Sequence, residues 1–260
     1  MGHAGTLDPP ATGLLVVLVG RATRLARFVA TLPKRYTGTI RLGWETTTDD
    51  AAGAPVGERD ESWRARTRAD LERALTDVQR QEVQMPPPVS AKKVDGVRAY
   101  RRFRRGETVT LQPVRVQIHA LTLVGFDPAA GEAVIDVACS SGTYVRSIAR
   151  DAGRALGSRA HLAQLRRTGI GPWDVKDALG MDALSALSPQ PSAALRPMRE
   201  AIAHLPALIL PAAAAQRFAS GQRISTDAPS GATAVFDANG LVGVADVADG
   251  VLHPDVVLVG

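Results

Sequence analysis

Residues 2–15, at the start of the chain, read GHAGTLDPPATGLL. The glycines and prolines predict a tight loop rather than a regular element, because glycine permits unusual backbone angles and proline lacks a backbone donor. Asp8 is the carboxylate of this loop. A carboxylate in such a place commonly caps a helix or stabilises a turn, so Asp8 alone does not reveal a function.

Beyond this loop, strand and helix patterns alternate along the chain. Period-two alternation and helical spacing predict strands at residues 34–42, 114–126, 133–140 and 161–168, and helices at 14–32, 69–80 and 143–156. Residues 46–62 are rich in Asp, Gly and Pro and predict an exposed loop, whereas 185–200 predict a linker. A hairpin at 233–245 indicates a small β-rich unit. We therefore expect an α/β (α+β) fold with a mixed, largely antiparallel sheet.

The charge of the chain is unevenly distributed. The net charge is +5. Residues 1–200 carry 29 basic and 21 acidic side chains, whereas residues 201–260 carry two basic and five acidic ones. A basic body with a mildly acidic tail indicates that any polyanionic partner contacts mainly the body.

Several classes of protein are disfavoured by the composition. No apolar run reaches membrane-spanning length, and no signal-peptide pattern opens the chain. Cys139 is the single cysteine, and the five histidines are scattered, so we expect no disulfide and no metal. No phosphate-binding loop, catalytic triad or glycosidase carboxylate pair is present. The simplest expectation is a cytoplasmic protein without a cofactor.

Further blocks of sequence follow the opening loop in a fixed order. They read KRY at 34–36, QMPPPVSAKK at 84–93 with Gly96 and Ala99-Tyr100, SGTYVRSIARD at 141–151, and AHLAQLRRT at 160–168. Together with the opening loop, these blocks closely resemble the motifs of the TruB family of tRNA pseudouridine synthases. The resemblance spans residues 2 to about 170, and the order of several blocks makes it specific.

The resemblance implies a fold, a reaction and a partner. It implies a pseudouridine-synthase domain at residues 1–190, with helices flanking the central sheet, and a small PUA-like β-rich domain at 200–260. The reaction would convert uridine 55, in the T-arm loop of tRNA, to pseudouridine after flipping the base from its stack. Neither a cofactor nor a metal is implied, and we expect a monomer.

The resemblance also assigns three catalytic residues. Asp8 is implied to be the essential carboxylate, acting either as a nucleophile or as a base that removes a sugar proton. Arg146 would provide the countercharge that keeps this carboxylate ionised in a water-poor pocket. Tyr36 would stack on the flipped base and assist the proton step at C5.

Other residues are implied to bind the substrate. Leu165 would form the apolar wall of the uracil pocket, His3 would take part in base extrusion, and Lys34 belongs to the Lys-x-Tyr strand. A dense basic run favours contacts with RNA phosphates. Its members assigned to substrate binding are Lys92, Arg101, Arg102 and Arg105.

Two rival functions stay open at this point. A related pseudouridine synthase directed by a guide RNA is disfavoured, because such proteins usually carry longer basic extensions. A non-catalytic RNA-binding or tRNA-folding protein could use the same fold and basic face. Family members also carry an opening strand and a Lys-Pro segment before the Gly-His motif. We therefore expect that the natural start lies upstream, with Met1 standing for a valine codon.

Overall fold

The computed structural model describes residues 1–89, 93–94, 97–98, 105, 111–188 and 190–259. The chain forms two compact units. The unit named here the central unit contains Leu7–Leu14 and Leu32–Ala178, and the terminal unit contains Met1–Thr6, Leu15–Thr31 and Leu179–Gly260. These units differ in membership from the consecutive domains predicted at 1–190 and 200–260, which stay a prediction.

Strands account for most of the regular structure. In chain order they are β1 Gly2–Ala4, β2 Thr12–Gly13, β3 Val16–Leu18, β4 Lys34–Leu42, β5 Glu45–Thr46, β6 Pro55–Val56, β7 Val83–Gln84, β8 Lys93–Val94, β9 Val97–Arg98, β10 Val114–Arg115, β11 Ile118–Asp127, β12 Glu132–Cys139, β13 Ala160–Ile170, β14 Trp173–Asp174, β15 Ala207–Ile209, β16 Ile224–Ser225, β17 Gly231–Asp237, β18 Gly240–Ala248 and β19 Val251–Val257. The long strands lie close to the predicted ones, because their alternating apolar residues face a core.

The α-helices in the described part of the chain are short, and none exceeds twelve residues. They are α1 Ala26–Ala30, α2 Arg68–Gln79, α3 Val145–Ala155, α4 Met181–Ala186 and α5 Ala212–Ala219, with 3₁₀ turns at Gly20–Leu25, Ser62–Ala65, Val175–Asp177, Pro191–Ala194 and Met198–Ile202. None of the helices in the described ranges is long and apolar enough to cross a membrane. The segment at 185–200, which was predicted to be a linker, contains the 3₁₀ turn at Pro191–Ala194 and the start of the one at Met198–Ile202.

The central unit is built on one mixed sheet. Its strands follow the order β11-β12-β4-β13-β14, and the short strand β2 pairs with β13. The pairs along this order are antiparallel, whereas β2 runs parallel to β13. This arrangement confirms the predicted α/β class with a largely antiparallel sheet.

The core of the central unit lies where α2 and α3 pack against the sheet. Ile40 of β4 and Ile135 of β12 are completely buried, as are Leu71 of α2 and Ile148 of α3. Burial of side chains of this size contributes roughly 1.5–3 kcal/mol each to folding. The core therefore fixes α3, whose first turn carries Arg146, against the sheet.

The terminal unit contains the predicted β-rich C-terminal structure. Its sheet follows the order β15-β17-β18-β19-β16, and the predicted hairpin is formed by β17 and β18. Phe218 of α5 is completely buried in the core of this unit, together with Val235 and Leu252. The strands β1 and β3 pair within the same unit.

The single helix predicted at residues 14–32 is wrong. This segment forms β3, a 3₁₀ turn and the five-residue helix α1. Valines favour the strand, and Gly20 interrupts regular structure with a φ of 58°. The arginines of the expected helical face instead contact β19 and the residue after it: Arg21 donates to the Leu258 carbonyl at 2.8 Å, and Arg27 pairs with Asp255.

Candidate active site

The loop that carries Asp8 is fixed to the central sheet within a few residues. Ala11 N–H donates to the Asp8 carbonyl at 2.8 Å, which closes a turn, and β2 then pairs with β13. Gly13 has a φ of 101°, and a Cβ there would lie 2.2 Å from the Arg167 carbonyl oxygen. Leu14 N–H donates to that same oxygen at 2.8 Å. Glycine is therefore required at this crossing, and the loop has little freedom at its C-terminal end.

The buried side chain of Arg146 meets the Asp8 carboxylate. Arg146 Nη2 donates to Asp8 Oδ1 at 3.0 Å, and Nε lies 2.8 Å from Oδ2 without the alignment of a hydrogen bond. The Arg146 side chain is 6% exposed, whereas that of Asp8 is 37% exposed. A buried guanidinium thus neutralises one side of a carboxylate whose other side is open to a reactant.

A second carboxylate, that of Asp50, shares the same guanidinium. Arg146 Nη1 lies 3.5 Å from Asp50 Oδ2 and donates to the Thr48 carbonyl at 3.1 Å. Asp50 is itself held by hydrogen bonds to Oδ1 from the Thr48 hydroxyl at 2.6 Å and from Ala52 N–H at 3.0 Å. One arginine therefore lies between two carboxylates.

Asp50 was not predicted to be a site residue, because residues 46–62 were predicted to form an exposed loop. The prediction is wrong for the first part of that range. Thr46, Asp49 and Asp50 are buried, and the Asp49 carbonyl accepts a hydrogen bond from Leu162 N–H of β13 at 3.0 Å. The adjacent pair Asp49-Asp50 was the available signal, because carboxylates that fold into the interior require cationic partners.

The other carboxylate of that pair, Asp49, binds the next arginine along α3. Arg150 Nη1 donates to Asp49 Oδ2 at 2.6 Å, and Nη2 donates to the Met85 carbonyl at 2.9 Å. Burial raises the pKa of Asp49, and the positive charge of Arg150 opposes this effect. The two arginines therefore fasten the buried turn to α3 at two points, which restrains the position of Asp50.

Tyr36 and Lys34 lie on β4, in the middle of the sheet. Tyr36 is half-buried, and burial is the main cause that raises the pKa of its hydroxyl, with a further contribution from the charge of Asp8. Lys34 is only 6% exposed, and its Nζ donates to the Leu32 carbonyl at 2.6 Å. Burial, assisted by the charge of Arg167, lowers the pKa of Lys34 to about 8. In this arrangement Lys34 has little surface to offer to a substrate.

A shallow recess opens beside the Asp8 carboxylate. Its empty volume is about 240 Å³, including adjoining solvent. It is lined by Asp8, Pro10, Ala11, Asp50, Arg146, Leu162, Ala163, Gln164 and Leu165. Leu165 is partly buried and lines the recess with an apolar side chain. An apolar wall therefore lies next to the Asp8–Arg146 ion pair at the open edge of this recess.

The remaining residues assigned to substrate binding belong to the terminal unit, lie in a turn, or fall outside the described residues. His3 is exposed on β1 of the terminal unit, opposite Val17 of β3. Arg105 is exposed in a turn, whereas Lys92, Arg101 and Arg102 lie outside the described residues. In the described part of the chain, no group of three or more His, Cys, Asp or Glu side chains could hold a metal ion.

Comparison with protein families identifies matches along nearly the whole chain. The model of the TruB family pseudouridylate synthase N-terminal domain matches residues 1–145. The tRNA pseudouridylate synthase B C-terminal domain matches residues 146–215. A second C-terminal model, of pseudouridine synthase II TruB, matches residues 206–258.

Individual proteins give the same result. The tRNA pseudouridine synthase B of Thermobifida fusca (strain YX) is 46% identical over 270 residues, which cover 100% of this chain and 89% of the relative. The protein of the same name from Burkholderia mallei (strain NCTC 10247) is 42% identical over 98% of this chain and 86% of its own length.

Solved structures share the fold at lower identity. An H/ACA RNP bound to a substrate RNA containing 2′-deoxyuridine includes a chain that is 17% identical, with a TM-score of 0.72 and coverage of 100% of this chain and 76% of that chain. A chain of a Cbf5-Nop10-Gar1 complex is 21% identical, with a TM-score of 0.70 and coverage of 95% and 69%. At such identities the similarity establishes the fold alone.

Proposed function

The chain belongs to the TruB family of pseudouridylate synthases, and on that premise we propose that it converts uridine 55 in the T-arm loop of tRNA to pseudouridine. As a member of this family it is a tRNA pseudouridine synthase. The choice of uridine 55 is implied by the sequence motifs. The observation that carries the proposal is the contact of Asp8 with the buried Arg146, at the edge of an open recess.

The reaction is an isomerisation that needs no external reagent. The N1–C1′ bond of the nucleoside breaks, the uracil ring turns over, and a C5–C1′ bond forms while C5 loses a proton and N1 gains one. Asp8 acts as the essential carboxylate, either by adding to C1′ or by removing a sugar proton. Both routes require an ionised carboxylate, and Arg146 stabilises that form at a distance of about 3 Å.

Tyr36 and Leu165 hold the base in this proposal. The ring of Tyr36 stacks on the flipped uracil and its hydroxyl assists the transfer of the C5 proton. This hydroxyl is protonated at neutral pH, as in any ordinary tyrosine, and can donate a hydrogen bond; burial raises its pKa further. Leu165 packs against the other side of the recess. Lys34, being buried, supports the strand that carries Tyr36.

Binding of the tRNA uses positive charge and base extrusion. Pulling a base from its stack costs a few kcal/mol, which stacking and phosphate contacts offset. We assign the phosphate contacts to the basic run that includes Lys92, Arg101, Arg102 and Arg105, and base extrusion to His3. The protein acts in the cytoplasm as a monomer and uses neither a metal nor an organic cofactor.

The test is a reaction of the purified chain alone with an unmodified tRNA transcript. The proposal predicts one pseudouridine, mapped to position 55, and no pseudouridine in a matched transcript that carries cytidine there. Binding of the transcript without product would favour a tRNA-folding protein. Product formed only after a guide RNA is added would favour a guide-directed synthase.

A further inference from the structure

We infer that Arg167 is a positioning residue for this reaction, whose buried side chain holds the Tyr36 hydroxyl and the Asp8-bearing segment in fixed relative positions. The inference rests on the proposed function. It adds a residue that has neither a place in the recess nor a role in the chemistry described above. Arg167 is on β13, two residues after Leu165, and it is 1% exposed.

The first contact of Arg167 is with the segment that follows Asp8. Its Nε donates to the Leu14 carbonyl at 2.7 Å, and its own carbonyl accepts from Leu14 N–H at 2.8 Å. The side chain and the main chain of Arg167 therefore bind both main-chain polar groups of Leu14. Gly13 packs directly against this point, which is five residues beyond Asp8.

The second contact is with Tyr36. In the sheet, Tyr36 of β4 lies opposite Arg167 of β13, so the two side chains share one face, and the Arg167 guanidinium opposes the rise in the pKa of the tyrosine hydroxyl. Arg167 thus bonds to Leu14, the residue after β2, and lies beside Tyr36 of β4. The Asp8 loop and Tyr36 are thereby tied to a common rigid strand.

Burial of the Arg167 guanidinium has a free-energy cost that its hydrogen bonds must offset. Burying a charge costs several kcal/mol unless it is hydrogen-bonded, and the Nε of Arg167 donates to the Leu14 carbonyl. Lys34, a second buried cation close by, increases this cost, and the charge of Arg167 contributes to the lowered pKa of that lysine. An apolar side chain could fill the same volume, but it could not orient a hydroxyl.

Orientation of Tyr36 is the property that Arg167 controls. A hydroxyl that assists proton transfer must lie within hydrogen-bond reach of the reacting atom. Misplacement of a reacting group by about 1 Å can cost on the order of 100-fold in rate. Loss of the Arg167 contact should therefore lower the rate of the chemical step and leave tRNA binding unchanged.

A double-mutant cycle separates positioning from general stability. Arg167→Lys, Tyr36→Phe and the double variant are compared with the wild type in single-turnover assays, with tRNA affinity and the unfolding midpoint measured in parallel. We expect Arg167→Lys to lower the rate by about 10- to 100-fold with tRNA Kd within about twofold. In the Tyr36→Phe background the same change should cost less than about threefold, because the positioned hydroxyl is already absent.

Arg41→Lys serves as the matched control, because Arg41 is a sheet arginine that pairs with Glu132. Its rate should equal that of the wild type. Equal losses from Arg167→Lys in both backgrounds, or a rate like that of Arg41→Lys, would overturn the inference. If Arg167→Lys unfolds at the assay temperature, Arg167→Gln enters the same cycle. A wild-type chain that forms no pseudouridine would instead overturn the proposed function, and the inference with it.

Discussion

At the scale of single residues, the charges of the site are organised around Arg146. Its guanidinium contacts Asp8 on one side and Asp50 on the other, so the cluster has one positive and two negative groups. Asp50 is almost fully buried, whereas Asp8 has the exposed edge. The surplus negative charge is therefore available at Asp8, the group that faces the recess.

Lys34 gives the protein a pH-dependent stability. The pKa of its ammonium group is lowered from the ordinary lysine value of 10.5 to about 8 in the folded protein. Between these values the unfolded chain binds the proton more strongly than the folded chain, so stability rises with pH. We expect the unfolding free energy of the wild type, minus that of Lys34→Met, to increase by roughly 1 kcal/mol from pH 8 to pH 9.

Denaturant unfolding of both proteins at each pH measures this difference. Between pH 6 and pH 7 the difference should stay constant, because Lys34 is protonated in both the folded and the unfolded state there. A difference that is flat from pH 7 to pH 10, or that falls with pH, would contradict the assignment of a buried, destabilised ammonium.

At the scale of elements, the pairing of β2 with β13 holds the loop that carries Asp8. Gly13 combines a positive φ with direct contact to the Arg167 backbone. Gly13→Ala should therefore suffer both backbone strain and a steric clash. We expect a loss of stability of about 3 kcal/mol, from roughly 1–2 kcal/mol of strain and a clash of similar size, measured by denaturant unfolding.

Gly142 offers a matched control for this substitution. It has a φ of 84°, but a Cβ there would have no atom within 4 Å. Gly142→Ala should lose only the strain contribution, roughly 1–2 kcal/mol. Equal losses for the two variants would show that the crossing at Gly13 is not tightly packed.

Some of these elements could be predicted from local sequence, whereas others depend on contacts with distant residues. β4 was predicted at its observed bounds, Lys34–Leu42, because alternation in a half-buried strand is a strong local signal. The burial of the turn at 46–50 was not predicted, since it depends on docking against Leu162, more than a hundred residues away in the chain. The same reason hides Asp50 and Arg167, whose partners Arg146 and Tyr36 are distant in sequence. By contrast, Asp8 and Arg146 are found through motifs, and the structure brings them into contact.

At the scale of the whole molecule, the uneven charge predicts that tRNA contacts mainly the basic body of the chain. Residues 1–200 have a surplus of basic side chains, and residues 201–260 are net acidic. Each phosphate contact that is lost should reduce the slope of log affinity against log salt concentration by about 1. We expect Arg101→Gln with Arg102→Gln to weaken tRNA binding and flatten this slope.

The double variant Arg217→Gln with Arg223→Gln removes the same charge from residues 201–260. Filter-binding titrations across a range of salt concentrations should give it a slope close to that of the wild type. An unchanged slope for the first variant, or an equal change for both, would argue against RNA contact by the basic run.

We propose that Asp8 performs the chemistry, and single-turnover formation of pseudouridine with enzyme in excess measures its contribution. Asp8→Asn keeps the shape of the side chain but removes its charge, so the rate should fall by at least about 1,000-fold while tRNA affinity stays within about threefold. Asp77→Asn, at an exposed position of α2, should react at the wild-type rate. Pseudouridine formed by Asp8→Asn at the wild-type rate would contradict the account.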